Sequence, residues 1–449
     1  MTRSKFLAIP AIAAALGMGV STARAADPTA EQLMQQIQEL QAKVQQLETR
    51  QNEGMSSQAV DATVERVLKD ANDRSQLMQM EGFTAGWTAD KGFRIQDAAG
   101  NWVLHPFFQF QPRYVYNFRH SAAQFDTDGD FIGYDGDDDS ESGFEMRRMK
   151  FGFDGNAFTP DLQYYFLWAT DASGGGVSLE QAWIKYFFND DWAFRIGQLR
   201  NPVFHEQDTN SSMQLAADRS LTSELLTGAN EPFTQAVTLV YSPKTGPITA
   251  EVGVGDGYDT GNTNFEDSAA GICGVFARVN YFVMGARSSY ADFTARGNKE
   301  DLLVIGGGID YTSYQGESDY RHTVDAQWEN TGGLSVYVAY IGNWIDSRTA
   351  DDQFYNYGFV GQVGYMLNDR WEVFGRGGYS KFDQQFLGED TWCELTAGVN
   401  WYVGGGHNAK VTVDATFLSN GAPADFTDLG VLDSDDGEVV IRGQFQLLL

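Results

Sequence analysis

The feature that most constrains the fold is an alternation of apolar and polar residues with a period of two, which starts near His105 and continues to the end of the sequence. In HPFFQFQPRYVYNFR (105–119) the even positions are mostly aromatic, whereas the odd positions include Gln109, Arg113 and Arg119. Such alternation places successive side chains on opposite faces of a β-strand. Long alternating segments of about ten residues with Tyr, Trp and Phe near their ends are typical of strands that cross a membrane as a barrel.

Sixteen segments follow this pattern, and they predict an all-β fold, a transmembrane antiparallel β-barrel of sixteen strands. Short turns such as NDD and TGG nearly alternate with longer loops, as expected when turns occupy one rim and loops the other. Two connections break the order, because 285–299 is long where a turn is expected and 314–318 is short where a loop is expected. Fourteen and eighteen strands therefore stay open as alternatives. The predicted strands are 105–119, 143–155, 161–171, 177–188, 191–200, 233–243, 248–258, 271–284, 300–313, 319–330, 333–345, 355–367, 371–383, 391–404, 408–419 and 437–449.

The position of the charged residues in the alternation predicts a water-filled lumen. A charge on the lipid face near the bilayer midplane costs about 2–4 kcal/mol, so charged side chains of a membrane barrel should point inward. Arg195 lies between Phe194 and Ile196, and its side chain is therefore predicted to face the lumen. The same rule places Asp154, Asp325, Glu329, Glu372, Glu394, Asp414, Arg376, Lys410 and Arg442 inside. The basic residues predicted to line the pore are Arg113, Arg119, Arg148, Lys150, Lys185, Arg195 and Arg200.

Two segments precede the predicted barrel. Residues 1–25 join a basic start, an apolar core and the small residues ARA, which predicts a cleaved export signal. Residues 26–80 are predicted to form a helical neck, because the apolar residues from Leu33 to Leu47 recur at the heptad intervals 4, 3, 4 and 3 of a short coiled coil. A lone amphipathic helix is the alternative. We expect the neck to lie in the periplasm and residues 81–449 to form a barrel in the outer membrane of a diderm bacterium, surrounded by its lipid.

Composition argues against several other classes of protein. The net charge of -30 is unsuited to nucleic acid and to anionic lipid surfaces, which are bound by basic patches. The two cysteines, Cys273 and Cys393, fall on outward positions of non-adjacent predicted strands, so no disulfide is expected between them. The five histidines show no metal-ligand spacing and no G-x-S-x-G motif occurs. We therefore predict no metal, no cofactor and no enzyme activity.

Two local patterns have alternative interpretations. His205 lies near Ser211 and Ser212, the one local arrangement suited to a hydrolase of the barrel type, and we favour a non-catalytic role. The acidic run DTDGD (126–130) is similar to a calcium loop. Its glycine comes one place early for an EF-hand, and no bidentate glutamate follows at the right spacing. A solvated acidic rim is the favoured interpretation of that run.

Residues 144–224 resemble a known family. The blocks FEMRRMKFGFDGNAFTPDLQYYFLWA, LEQAWIKYFFNDDWAFRIGQLRNP and ADRSLTSELL are similar to the phosphate-selective porins O and P. The order of signal, neck and barrel also resembles the planctomycete-type porins of that group. The resemblance implies a homotrimer of sixteen-stranded barrels, each with its own pore, and phosphate or other anions as preferred solutes. It also implies that the long loop after the fifth strand, 201–232, folds into the lumen as the constriction.

The predicted constriction loop departs from the pattern of anion-selective channels, because it is acidic. Rings of acidic side chains favour cations, and rings of basic ones favour anions. If the acids pack against the facing wall of Arg113, Arg148, Lys150 and Arg195, the charges cancel and the pore discriminates weakly. We expect instead that the basic wall stays open, since its side chains are fixed on strands. The loop residues singled out are His205, Glu206, Asp208, Asp218, Arg219 and Glu224, with Glu231 as a further acid.

The predicted function is therefore passive diffusion of small hydrophilic solutes and ions through an outer-membrane porin, with a preference for anions or phosphate. The alternative is structural: an envelope tether whose neck contacts the cell wall and whose barrel is only an anchor. Conductance of the purified protein in a planar bilayer distinguishes the two, because a tether would be electrically silent.

Overall fold

The computed structural model describes residues 34–35, 38–46, 82–88, 92–120, 123–125, 131–171, 175–228, 231–266, 273–314, 317–347, 352–386, 389–404, 406–434 and 436–449. The chain divides into two compact units, residues 1–77 and 78–449. In the first unit, residues 34–35 and 38–46 (α1) are helical and their side chains are exposed. The predicted export signal, residues 1–25, lies outside the described residues. The coiled coil stays a prediction, and none of the described helices has the length and apolar character needed to span a bilayer.

The second unit is rich in long antiparallel strands. The described strands are β1 (Phe83–Thr88), β2 (Gly92–Asp97), β3 (Val103–His120), β4 (Ala123–Phe125), β5 (Phe131–Tyr134), β6 (Asp138–Ala157), β7 (Thr159–Thr170), β8 (Val177–Phe187), β9 (Trp192–Arg200), β10 (Phe233–Tyr241), β11 (Ile248–Gly255), β12 (Cys273–Met284), β13 (Leu302–Tyr314), β14 (Glu317–Glu329), β15 (Leu334–Ser347), β16 (Asp352–Asn368), β17 (Trp371–Phe386), β18 (Glu389–Tyr402), β19 (Ala409–Leu418) and β20 (Glu438–Leu448).

Sixteen of these described strands close into a barrel. The order is β3, then β6 to β20 in sequence, and β20 pairs with β3 to complete the ring. Closure satisfies the backbone hydrogen bonds of every strand within the sheet, which lipid surroundings require. The β1–β2 hairpin adds to β3 through the pairs Ile95–Leu104 and Gln96–Val103. The predicted fold, with sixteen strands, is confirmed.

The two irregular connections have a structural explanation that leaves the strand count unchanged. Residues 285–301 join β12 to β13 on the short-turn rim, and their central part folds into the barrel. Phe293 is buried there, and Thr294 Oγ1 donates a hydrogen bond to Glu372 over 2.6 Å. The connection between β13 and β14 is short because the two strands pair as far as Tyr314 and Glu317.

The two faces of the barrel wall differ as the alternation predicts. The outward side chains are large and apolar, for example Phe194 and Ile196, of which more than half is exposed. The charged residues between them are covered from the inside, as Arg113 and Arg442 show. Cys273 and Cys393 are free thiols on β12 and β18, which are not neighbours. The acidic run 126–130 lies outside the described residues, and the described ones hold no cluster of metal-ligand type.

Candidate functional site: the lumen and its inward loop

The long connection after the fifth barrel strand, residues 201–232, crosses the inside of the barrel. It contains two short helices, α2 (His205–Asp208) and α3 (Leu221–Thr227). Ser220 caps α3 by accepting a hydrogen bond from Ser223 N, and Gly228 ends the helix with a φ of 75°, a conformation that glycine adopts at little cost. The loop is held by side chains of the barrel wall that bind its backbone. These bonds are Lys410 to Gln214 O, Asn400 to Leu215 O, Gln446 to Ser212 O, and Ala217 N to Asp414.

One group of charges, the Asp218 cluster, anchors the loop to the wall. It consists of Asp218 and three arginines, Arg113, Arg147 and Arg148. Asp218 accepts from Arg113, from Arg147 Nε at 3.1 Å and from Arg148 at 2.9 Å, and its side chain has no exposed surface. Burial opposes the ionised form, but the three guanidinium groups outweigh it, so the pKa of Asp218 lies well below its usual range.

A bulge in β6 brings a second arginine into this cluster. Gln111 pairs with Arg148 and Pro112 pairs with Met146, which leaves Arg147 as an extra residue without a partner across the strands. Proline inside a strand is compatible with such a bulge because it has no N–H to offer the ladder. As a result both Arg147 and Arg148 point inward, whereas strict alternation would send Arg147 to the lipid.

A second group of charges, the Glu231 cluster, lies at the other end of the loop. It consists of Glu231, Lys150, Arg200 and Arg219. The carboxylate of Glu231 lies 2.5 Å from Lys150 Nζ, 3.0 Å from Arg219 and 3.6 Å from Arg200. Burial would raise the pKa of Glu231, but the three basic groups lower it well below its usual value. This cluster therefore carries a net positive charge.

Two cavities border the Glu231 cluster. The loop-side cavity, of about 300 Å³, contacts Glu231 and opens towards the β7–β8 loop at Asp171. The turn-side cavity, of about 500 Å³, contacts Arg200 and opens towards the β10–β11 turn at Ser242. The Arg200–Glu231 pair thus lies between them. The charged residues of the loop-side cavity are Arg147, Arg148, Lys150, Asp171, Glu180, Glu231 and Asp428, and those of the turn-side cavity are Lys185, Arg200, Asp208, Glu251, Arg278 and Arg287, together with His205.

The expectation that basic residues form an open strip along the barrel wall is wrong. Arg113 and Arg148 belong to the Asp218 cluster and Lys150 to the Glu231 cluster, while Arg195 contacts Glu251. A charge with little exposed surface is stable only beside an opposite charge, so each of these side chains is paired. Of the other predicted lining residues, Arg119 pairs with Asp139 and Glu141 at 3.0 Å, Arg200 is in the Glu231 cluster, and Lys185 lies 4.7 Å from the centre of the Phe187 ring.

His205 forms a junction between the two inward segments, 201–232 and 285–301. Its Nε2 hydrogen bonds with Gln327 Oε1 at 2.7 Å, and its ring stacks on Tyr290 with a centroid distance of 4.0 Å. Burial lowers the pKa of His205 to about 4, and Arg278 adds to the effect. The neighbouring Ser211 instead binds Gln109 at 3.0 Å, so no nucleophile and base are paired here.

The other loop residues singled out in the sequence have separate roles. Glu206 binds the loop to itself, because its carboxylate accepts from Ser220 N, Ser220 Oγ and Ser223 Oγ. Arg219 donates to the carbonyl oxygens of Gln207 and Thr209. Asp208 is exposed in the turn-side cavity, and Glu224, a residue of α3, is buried.

Four contributors to the site were not predicted. Arg147 was overlooked because strict alternation was assumed, although Pro112 signals a bulge opposite it. Glu180 and Glu251 neutralise Lys150 and Arg195, a pairing that depends on barrel register rather than on sequence spacing. The inward fold of 285–301 was missed too, although the run of Tyr290 and Phe293 in a connection was a usable signal.

A closed barrel of sixteen antiparallel strands with a long loop folded into a charged lumen defines a porin of the outer membrane. The chain belongs to the family of phosphate-selective porins O and P, whose sequence model matches residues 121–420. The protein allows solutes to diffuse passively across the outer membrane. No curated protein matches the chain, and none of the comparisons gives support to the envelope tether.

Solved structures show the same fold at low sequence identity. An anion-selective porin from Comamonas acidovorans is 12% identical, with a TM-score of 0.52, over 77% of this chain and 99% of that chain. OprB of Pseudomonas putida is 11% identical, with a TM-score of 0.51, over 77% and 94%. OmpF of Salmonella typhi is 14% identical, with a TM-score of 0.51, over 78% and 98%.

Proposed function

We propose that solutes cross this porin along the wall formed by β6 to β11, past the Glu231 cluster, with weak selectivity for anions. The observation that carries the proposal is the position of the Arg200–Glu231 pair between the loop-side and turn-side cavities. Residues 211–227 of the loop are packed against β3 and β15 to β20, and hydrogen bonds join them to those strands, so we place the solute path on the opposite wall. The narrow point is therefore lined by charged groups that already have partners.

The expected preference for anions follows from the charged side chains of the lumen that have no oppositely charged side chain in contact. Most basic residues of the lumen contact a carboxylate, so they attract solute anions only weakly. Lys185 has no carboxylate within ion-pair distance among the described residues, and Arg287 binds the backbone oxygens of Pro243, Gly246 and Ile248. The exposed carboxylate of Asp208 opposes them in the turn-side cavity. The excess of positive charge is small and favours phosphate-like and other small anions.

We further propose the features that accompany this function. The chain acts as a channel rather than as an enzyme, and it assembles as a homotrimer in outer-membrane lipid. Residues 1–25 direct export and are removed. Residues 26–80 then form a neck in the periplasm that contacts the cell wall. Support for these features comes from the family, from the pattern of residues 1–25 and from the heptad spacing of the neck.

The test is a planar-bilayer measurement on the purified protein, with the reversal potential recorded across a salt gradient. We expect conductance steps in groups of three and an anion permeability slightly above that of the cation. Lys185→Gln should reduce this preference, whereas Lys244→Gln, an equal charge change at an exposed pair with Asp190 on the turn rim, should not. A barrel that conducts no current in the planar bilayer would refute the pore. A cation preference that Lys185→Gln leaves unchanged would refute the proposed selectivity.

A further inference from the structure

A third cavity, the mouth pocket, lies beside the proposed solute path at the long-loop rim. Its volume is about 480 Å³, within the range of sites that hold small organic molecules. Its walls are formed by helix α3, by the parts of β17 and β18 near the long-loop rim, and by the connection between β19 and β20. Most of the lining side chains are apolar: Leu225, Phe382, Trp392, Pro423, Ala424 and Phe426.

One carboxylate lies in the wall of this apolar pocket. Glu224, on α3, is only 5% exposed, and its Oε1 has no hydrogen-bond partner among the described residues. An ionised group that is buried without a partner is unfavourable, so such groups are normally paired. This buried oxygen in the pocket wall therefore lacks, among the described residues, the donor or positive group that would satisfy it.

The basic residues nearest to Glu224 are engaged elsewhere. Arg219 contacts Glu231, and Arg147 contacts Asp218 and, at 3.2 Å, Asp428. A second carboxylate, Asp425, is exposed at the edge of the pocket. The pocket thus combines negative charge with aromatic walls, which favours positively charged ligands.

Three aromatic side chains, Phe382, Trp392 and Phe426, line the mouth pocket. The rings of Phe382 and Trp392 pack edge to face, with centroids 5.4 Å apart and planes at 87°, and both line the pocket although little of either side chain is exposed. Ammonium groups bind over aromatic faces, and Trp is the most favourable of these. Phe426, on the β19–β20 connection, lies among the other lining residues.

We propose that the mouth pocket binds an organic monocation with an apolar body, its ammonium group on Glu224 and its body against Phe382, Trp392 and Phe426. Asp428 lines both this pocket and the loop-side cavity, so a bound cation lies next to the entrance of the solute path. The ligand class differs from the anions proposed for the path itself. The site does not depend on the selectivity of the pore.

The proposal implies a defined pH dependence. Burial raises the pKa of Glu224 to about 8; Arg219 and Arg147 oppose the rise, and Asp428 and Asp218 add to it. Asp425 also faces the pocket. Because a cation favours the ionised carboxylate, binding should strengthen as the pH rises from below 7 to 9.

Calorimetric titration of the full-length protein in detergent with benzyltrimethylammonium, whose charge does not change with pH, tests the proposal. We expect saturable binding at pH 9 and weaker binding at pH 6.5. Glu224→Gln should weaken binding at pH 9 by about tenfold, the effect of a lost charge-assisted contact, and remove the pH dependence. Asp208→Asn is the matched control, because it makes the same charge change in the same loop but in the turn-side cavity.

Other measurements separate the site from the pore. Phe426→Ser should also weaken binding of benzyltrimethylammonium, which gives a second variant if Glu224→Gln folds poorly. Equal binding by the native protein and both variants, or equal binding of neutral benzyl alcohol, overturns the proposal. Bilayer conductance recorded on the same samples keeps the two questions apart, since an active channel without saturable binding refutes only the mouth pocket.

Discussion

The Asp218 cluster and the Glu231 cluster have the same balance of charges and different surroundings. Each places one carboxylate of the inward loop among three basic side chains. The side chain of Asp218 has no exposed surface, and Arg376 also binds the backbone oxygen of Asp218. Glu231 instead borders a cavity. The carboxylate of the first cluster therefore fixes the loop out of contact with water, whereas that of the second borders the path, which Arg147 and Arg148 of the first cluster also line.

The largest effect should follow from breaking the buried cluster. In Asp218→Asn, three arginines lose their shared partner, and breaking a buried ion pair costs about 3–5 kcal/mol. We expect the loop to detach from the wall while the barrel persists. Single-channel conductance should then rise and become noisier, and proteases should cut within 201–232. Asp208→Asn, in the same loop but exposed, is the control; unchanged conductance in Asp218→Asn would show that this cluster is not the anchor.

A second effect concerns the junction at His205, and it should appear on acidification. The folded protein keeps this imidazole neutral down to a pKa of about 4, whereas the unfolded chain binds the proton near pH 6.5. The contribution of His205 to stability should therefore fall between pH 6.5 and 4 by up to about 3 kcal/mol and change no further below that range. The groups facing His205 are Arg278, Asp325, Gln327, Tyr290 and Tyr337.

The measurement for this junction is chemical unfolding of the native protein and of His205→Gln at several pH values. Gln cannot titrate, so the difference in free energy of unfolding between the two proteins should depend on pH only in that window. Carboxylates elsewhere contribute equally to both proteins and cancel. A constant difference from pH 7 to 4 would contradict the neutral buried imidazole.

The smallest effect is expected from the Glu231 cluster, whose carboxylate borders the loop-side cavity. Glu231→Gln removes the carboxylate shared by Lys150, Arg200 and Arg219. A unit charge about 4 Å from a passing ion contributes about 1 kcal/mol in water, and less after screening by salt. The anion-to-cation permeability ratio should rise roughly two- to fivefold with little change in conductance noise. If Glu231→Gln instead raises the conductance and its noise as Asp218→Asn does, the two clusters have the same role and the proposed difference between them is wrong.

The barrel was readable from sequence because its pattern is local. Each strand must present apolar side chains to lipid, so the face of residues such as Phe194 and Arg195 follows from the alternation alone. The failure at Arg147 marks the limit of that rule. A single bulge shifts the face of a residue, and only Pro112 on the neighbouring strand indicates where it occurs.

The lumen was less predictable because its contacts join distant parts of the chain. The acidic residues of 201–232 and the basic residues of the wall were identified, but not which of them pair. Arg113 and Asp218 are 105 positions apart, and Arg195 meets Glu251 two strands away. Those partners depend on the path of a loop inside a closed space, which no residue pattern in the loop specifies.

The bonds that hold the inward loop also bear on the order of assembly. The barrel closes where β20 meets β3, and the loop is tied to both sides of that join, through Gln446 on β20 and through Gln109 on β3. Strands β19 and β3 add Asp414 and Arg113. The loop thus acts as an internal clasp across the join. An open intermediate that lacks this clasp has two free sheet edges, so insertion of the loop and closure of the ring should be one cooperative event.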